Sequence, residues 1–513
     1  MQRIVPAKKR LVLVAAKLAT KREEAYLGFH KARSTSEEGN MMKRVILSAI
    51  LLLGFLVFSI ATTKIGKGGI DLKNVSPEIT SVLSPDKVEQ AILLSDFKAG
   101  WYFFTTVFDV LVLAGILWFG FSGRIKNLSE KLADWLHRQR SPLAFAASLG
   151  LVLALALSFA TATDKHPVET GSLVFAVLWG VVALFAGRHR NYAVKVFYIL
   201  ILSLAIWLIS LPLSYYRGFV IEHHFNLSTQ TFGNWLADTI KSGYIGALFM
   251  TVLIPFAYWG ISRRAKDWWL WIGIVAVPIM ILVLVVGPVF VSPMFNKFEP
   301  LKDEVLAQRI LGMAEKAGIS GGRVYQVDMS EQTQEVNAYV TGLFGSKRIV
   351  LWDTTIKKMT PDEIAFVMAH EMGHYVMNHI WIGIGLFSVI FLILLFIIHK
   401  SIGWFIHRYS ESFGFAAVSD IASLPLLMLM FSLMMFLLDP LTNGFSRRIE
   451  HDADRFALDL TRDNTSGVSA FIKLANENLS NPSPSAFIEF WQYSHPPLQK
   501  RIEFCRGYTP KSN

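Results

Sequence analysis

The 513-residue chain has a single cysteine, Cys505. One thiol excludes intrachain disulfides and every zinc site built from several cysteines. Charge is scarce too: Asp, Glu, Lys and Arg make up 17% of the residues, where an ordinary soluble protein carries about 25%. Tandem repeats and low-complexity tracts are missing, which argues against a repeat array. The net charge of +11 comes with no RNA- or DNA-binding motif. Its basic residues are scattered over short loops, so we expect no nucleic acid as a partner. Cytoplasmic loops and lipid head groups account for them better.

What is present is apolar. Hydrophobic residues make up 53% of the chain and the mean hydropathy is +0.41. Nine runs approach or pass the roughly 20 apolar residues that cross a bilayer: 45–62, 100–122, 143–163, 172–187, 195–216, 242–262, 268–292, 379–399 and 421–438. Those at 172–187 and 421–438 are short, and length alone does not separate a short span from a buried core helix. The expectation is a mainly α, polytopic helical membrane protein with seven to nine spans, the lipid bilayer as its surroundings, and a small α/β domain.

The expected organisation is a basic extension (1–44), N-terminal spans (45–190), further spans (191–292), a region carrying the chemistry (293–378), two spans (379–438) and a C-terminal region (439–513). The stretch "MMKRVILSAILLLGFLVFSIATT" (41–63) reads as a first span rather than a cleaved signal, and Met41 or Met42 offers an alternative start.

In the fourth region, 301–318 has helical periodicity, 322–330 reads as a strand, and 336–354 reads as two strands around the turn-forming "GLFGSK". "TPDEIAFVMAHEMGHYV" follows. Thr360 suits an N-cap, Pro361 the first helical position, and Glu363 completes a capping box. Nothing breaks this helix before the apolar run at 379–399, so it is expected to continue into a span, with Gly383 and Gly385 as weak points.

His370 and His374 stand four apart, on one helix face, a spacing that lets both bind one zinc ion. Glu371 lies one residue round, where it reaches a water as general base without being a ligand. The bland alternative is a pair of surface histidines near a membrane; the capped helix around the motif weighs against it. A catalytic zinc needs a third protein ligand. His379, five residues past His374, is expected to point off the ligand face. "RRIEHDADRFALDL" (447–460) offers Glu450 and Asp454, four apart on a helix, one to ligate and one to accept the distal N–H of a ligand histidine. On spacing alone His451 and Asp452 remain rivals.

At this point the chain resembles the integral-membrane zinc peptidases of the CAAX prenyl protease 1 type. The stretches that carry the resemblance are "LPLSYYRGFVIEHHFNLST" (211–229), "PMFNKFEPL" (293–301), "NAYVTGLFGSKRIVLWDT" (337–354), "AHEMGH" (369–374), "SRRIEHDADRFA" (446–457) and "YSHPPLQKRI" (493–502), in the family's order. The resemblance implies one Zn2+ per chain held by His370, His374 and Glu450, with Asp454 behind a ligand. It also implies that Asn337 and His495 line the site, His495 stabilising an oxyanion. By residue type alone both would read as structural.

The resemblance implies a metalloendopeptidase that removes C-terminal residues from prenylated CAAX proteins or peptides. A bacterial quality-control protease with the same chemistry, acting on misfolded or membrane-tethered chains, is the alternative. A transporter with incidental zinc is the outside reading; the acid and base in place and the missing inverted repeats argue against it. Short basic loops at 123–142, 188–194 and 263–267 fall on one side of a nine-span arrangement. The positive-inside rule makes that side cytoplasmic and puts the zinc opposite, favouring a bacterial inner membrane over the endoplasmic reticulum.

Overall fold

The computed structural model describes residues 85–139, 170–319, 322–342 and 348–510. The expected spans at 45–62 and 143–163, the extension 1–44 and most of the "GLFGSK" turn lie outside the described residues. Among those that are described, six helices are long and apolar enough to cross a membrane, and a shorter apolar helix covers Val174–Arg188. The chain is therefore a multi-pass membrane protein.

The helices are α1 (Pro85–Trp118), α2 (Phe121–His137), α3 (Thr170–Arg188), α4 (Arg190–Tyr215), α5 (Phe232–Arg263) and α6 (Trp268–Val286), followed after the peptidase region by α10 (His379–Phe413) and α11 (Leu424–Thr461). At one end of the bundle, Ser122 at the start of α2 binds the carbonyl of Ala422 and the hydroxyl of Tyr198, and Tyr258 binds Ser423. The start of α4, the end of α5 and the start of α11 thus meet there. The basic residues Arg188, Arg190, Arg263, Arg264 and Lys266 sit at helix ends on this same side.

The peptidase region forms the other end. It contains β1 (Phe298–Pro300), α7 (Glu304–Lys316), β2 (Arg323–Val327), β3 (Ala338–Thr341), β4 (Arg348–Trp352), α8 (Asp353–Lys358) and α9 (Pro361–Val376). The strands order β1-β2-β4-β3, with β2 parallel to β4 and β3 antiparallel to it at the edge. α12 (Asn464–Glu477), α13 (Ala486–Gln492) and α14 (Leu498–Gly507) close the far side. Ile310, Ile349, Leu351, Met368, Met372, Ala457, Phe471 and Ile502 form one buried core between sheet and helices.

α9 starts where its sequence signals: the Thr360 amide donates to Glu363 Oε2 at 2.7 Å and the Glu363 amide to Thr360 Oγ1 at 3.3 Å. Its end corrects the expectation of a helix running on into a span. α9 stops at Val376, Asn378 adopts φ 59°, and α10 begins at His379. Asn is among the few residues that enter the left-handed region at small cost, and one such residue redirects the chain. The glycines at 383 and 385 lie inside α10. Continuity with a span belongs instead to α11: 38 residues run unbroken from the apolar segment through Glu450 and Asp454.

α1 also exceeds its apolar run, beginning at Pro85 rather than 100. Its 34 residues rise about 51 Å at 1.5 Å each, past a hydrocarbon core of about 30 Å. The surplus turns pack on the peptidase region: Val88 joins the main core, Ala91 and Leu94 pack with Leu227 and Leu479, and Lys87 donates to Asn476 at 2.9 Å.

Candidate active site

α9 and α11 cross closely because Gly373 leaves room: a Cβ there would meet Phe456 at 3.1 Å. This approach brings three donors together. His370 Nε2 and His374 Nε2 are 3.2 Å apart. Glu450 Oε2 is 3.2 Å from the first, and Oε1 is 3.4 Å from the second. A tetrahedral ion with bonds of about 2.0–2.1 Å holds its donors about 3.4 Å apart, so the three spacings suit such an ion. Glu450 Oε2 is buried and has no hydrogen-bond partner despite its close neighbours. A bound cation would satisfy it. His451 and Asp452, the rivals on spacing, are not part of this cluster.

Asp454 sits one turn beyond Glu450, with Oδ1 2.9 Å from His370 Nδ1. Arg501 on α14 grips the same carboxylate through Nε at 2.8 Å and Nη2 at 2.6 Å, and lies 4.1 Å over the Phe471 ring. The pair is buried, Arg501 at 7% and Asp454 at 1% exposure, so neither charge is left without a partner. Burial opposes a charge on His370, but the Asp454 and Glu450 carboxylates beside it outweigh that and raise its pKa to about 9. Glu371 lines the cavity beside them, its carboxyl pushed up by burial. That direction suits a group that both takes and returns a proton.

His495, just before α14, reaches Glu450 Oε2 at 3.3 Å. Its side chain is 55% exposed, opening into the cavity, while the protein around it holds its pKa below the usual range. Asn337 is exposed at the start of β3 and lines the same cavity of about 490 Å³.

Two more residues lie beside this cluster, one that the sequence did not single out and one that it set aside as a ligand. Arg501 lies within the "YSHPPLQKRI" stretch, but only its contact with Asp454 marks it. His379 stays out of the donor cluster, as expected, but the turn at Asn378 sets its Nδ1 2.9 Å from Nδ1 of His374, on the side away from the donors.

The description "Peptidase family M48" matches residues 300–509, and "CAAX prenyl protease N-terminal, five membrane helices" matches 166–297. An uncharacterized metalloprotease of Bacillus subtilis, YhfN, is 38% identical over 60% of this chain and 72% of its own length. CAAX prenyl protease 1 of Saccharomyces cerevisiae is 33% identical over 58% of this chain and 68% of its own. The crystal structure of S. mikatae Ste24p shares the fold with a TM-score of 0.61 at 24% identity, over 90% of this chain and 97% of that one. Fold and relatives together define a multi-pass membrane metallopeptidase. The chain belongs to peptidase family M48, among the zinc metallopeptidases of the CAAX prenyl protease 1 type.

Proposed function

We propose that His370, His374 and Glu450 hold one zinc ion per chain, and that the enzyme hydrolyses peptide bonds near the C-terminus of membrane-tethered polypeptides. The convergence of those three donors at 3.2–3.4 Å carries this reading. When bound, the ion supplies Lewis acidity at a carbonyl and lowers the pKa of a water toward about 7.

The chain's own groups do the rest. Glu371 accepts the proton of the attacking water and passes it to the leaving amine. His495 donates an N–H to the oxyanion as it develops. Asp454, braced by Arg501, accepts the Nδ1 proton of His370 and so aims Nε2 at the donor cluster. Asn337 contacts the peptide from the edge of the sheet.

Likeness to the yeast CAAX prenyl protease 1 supports prenylated CAAX tails as substrates. The test is cleavage of matched farnesylated and unmodified peptides by the purified protein. Selective cleavage of the farnesylated peptide is the expected result; equal cleavage removes prenylation from the proposal.

One observation favours a second reading. The basic helix ends lie opposite the peptidase region, and the positive-inside rule makes that basic side cytoplasmic. The site then faces outward from a bacterial inner membrane, where it would clear misfolded or tethered chains. A Val305→Cys probe on the exposed face of α7 (82% exposed), treated in intact cells with an impermeant thiol reagent, separates the two. Immediate labelling supports the second reading; labelling only after permeabilisation restores the first.

A further inference from the structure

The cavity beside the donor cluster has one wall made by α1, which lies outside both segments matched by the family descriptions. That wall contributes Lys98. Among the described residues its ammonium makes no hydrogen bond or ion pair, although its charge reaches the Glu335 carboxyl. A cation that lines a cavity without a hydrogen bond or ion pair of its own can attract an anionic group of a ligand.

The edge of the sheet gives a direction. Asn337 turns its backbone inward: its amide donates to Thr355 Oγ1 at 2.8 Å and its carbonyl accepts from the Trp352 amide at 3.1 Å. In an extended strand the amide and carbonyl of Val336 face the opposite way, away from β4, although its side chain is buried. There it is already engaged. Asn478 Oδ1 accepts from the Val336 amide at 2.8 Å, and Asn478 Nδ2 donates to the Val336 carbonyl at 3.1 Å. Asn478 caps the C-terminus of α12, so its amide is held in place of a neighbouring strand. A peptide that adds antiparallel to β3 points its C-terminal side at Val336. Asn478 ends its pairing at that point. Lys98 lines the same cavity as Val336 and Asn478, with Glu335 the next residue along the path within reach of its charge.

We propose that Asn478 and Lys98 form a stop for the substrate's C-terminus. Asn478 blocks further strand pairing, and Lys98 binds the free α-carboxylate. This rests on the peptidase reading above and deepens it. It selects polypeptides cut a few residues from a free C-terminus, whatever lipid they carry.

The test uses zinc-loaded full-length protein and paired peptides of one sequence, ending in a free carboxylate or a C-terminal amide, with a longer internally cleaved peptide as control. The wild type should cleave the acid about tenfold to a hundredfold better in kcat/KM, the gain expected of one charge-assisted contact, and mostly through KM. Lys98→Gln should collapse the acid-to-amide ratio toward one, and Lys98→Arg should restore part of it. Asn478→Ala should admit peptides extended beyond the normal end. Equal cleavage of acid and amide by the wild type overturns the proposal. So does a Lys98→Gln enzyme that slows both alike, which would make Lys98 only a partner of Glu335. Should Lys98→Gln fail to fold, the wild-type ratio alone decides. A wild type that cleaves none of the three peptides counts against the peptidase reading instead.

Discussion

α9 and α11 carry the donor cluster between them and are built differently. α9 has 16 residues, fixed at its start by a capping box and at its end by the left-handed turn at Asn378. It is buried in the peptidase core and decoupled from the next span. α11 has 38 residues and is one continuous helix, with Pro440 inside it, from the apolar segment through Asp454. Both place two polar groups at i and i+4 on one face. In α9 that pair is two histidines flanking a glutamate, a rare pattern with few structural explanations. In α11 it is two carboxylates, which most helices carry on a solvated face. The comparison teaches that the third donor, not the motif helix, ties the site to the bilayer.

The largest expected effect falls on α9. Glu371→Gln should leave metal content near one per chain but lower turnover by about a thousandfold, within the usual range for a lost acid–base group. Metal analysis paired with peptide hydrolysis checks it, and metal-free protein would make Glu371 a ligand. On α11, Glu450→Ala should weaken metal binding by more than the roughly hundredfold that loss of an outer partner brings, while Asp454→Asn should weaken it by about tenfold to a hundredfold. Chelator competition gives both values. Equal affinities for wild type and Glu450→Ala would take α11 out of the site.

A smaller effect is graded by pH. In the metal-free protein His370 holds its proton up to about 9, because Asp454 and Glu450 favour the charged ring. Metal must displace that proton, so affinity should rise with pH and fall by up to about tenfold per unit below pH 9. Calorimetry in two buffers of different ionisation enthalpy counts the proton released at pH 7.5; no release there would contradict the coupling.

The smallest effect concerns the hinge itself. Asn378→Ala should cost about 1 kcal/mol in strain and favour α9 running on into α10, which carries His379 away from His374. Metal affinity should then drop, by no more than about tenfold, whereas Asn378→Gly should leave it near wild type because glycine enters the left-handed region freely. Identical behaviour of the two variants would show that the turn has no hold on the ligand.

Much of the fold was legible. Among the described residues the apolar runs recur as helices, the 301–318 periodicity as α7, and the capping residues at 360–363 as the start of α9, because each signal is local and set by backbone geometry. The unbroken α11 was not legible: its apolar and charged halves read as two elements, since a change of solvent and not of backbone divides them. The reach of α1 beyond the membrane was hidden in the same way, its first turns being amphipathic and not apolar.

The sequence by itself determined that this is a multi-pass membrane protein with a helix able to present two histidines and a glutamate to one metal. Hydropathy and the 3.6-residue repeat suffice for that. The tertiary structure decided which carboxylate meets them, how Arg501 at 131 residues' separation joins His370 through Asp454, and where the chain turns at Asn378. Those depend on packing between segments far apart in the chain, on the room left by Gly373, and on the sign of one φ angle worth about 1 kcal/mol, too little for any periodicity to record.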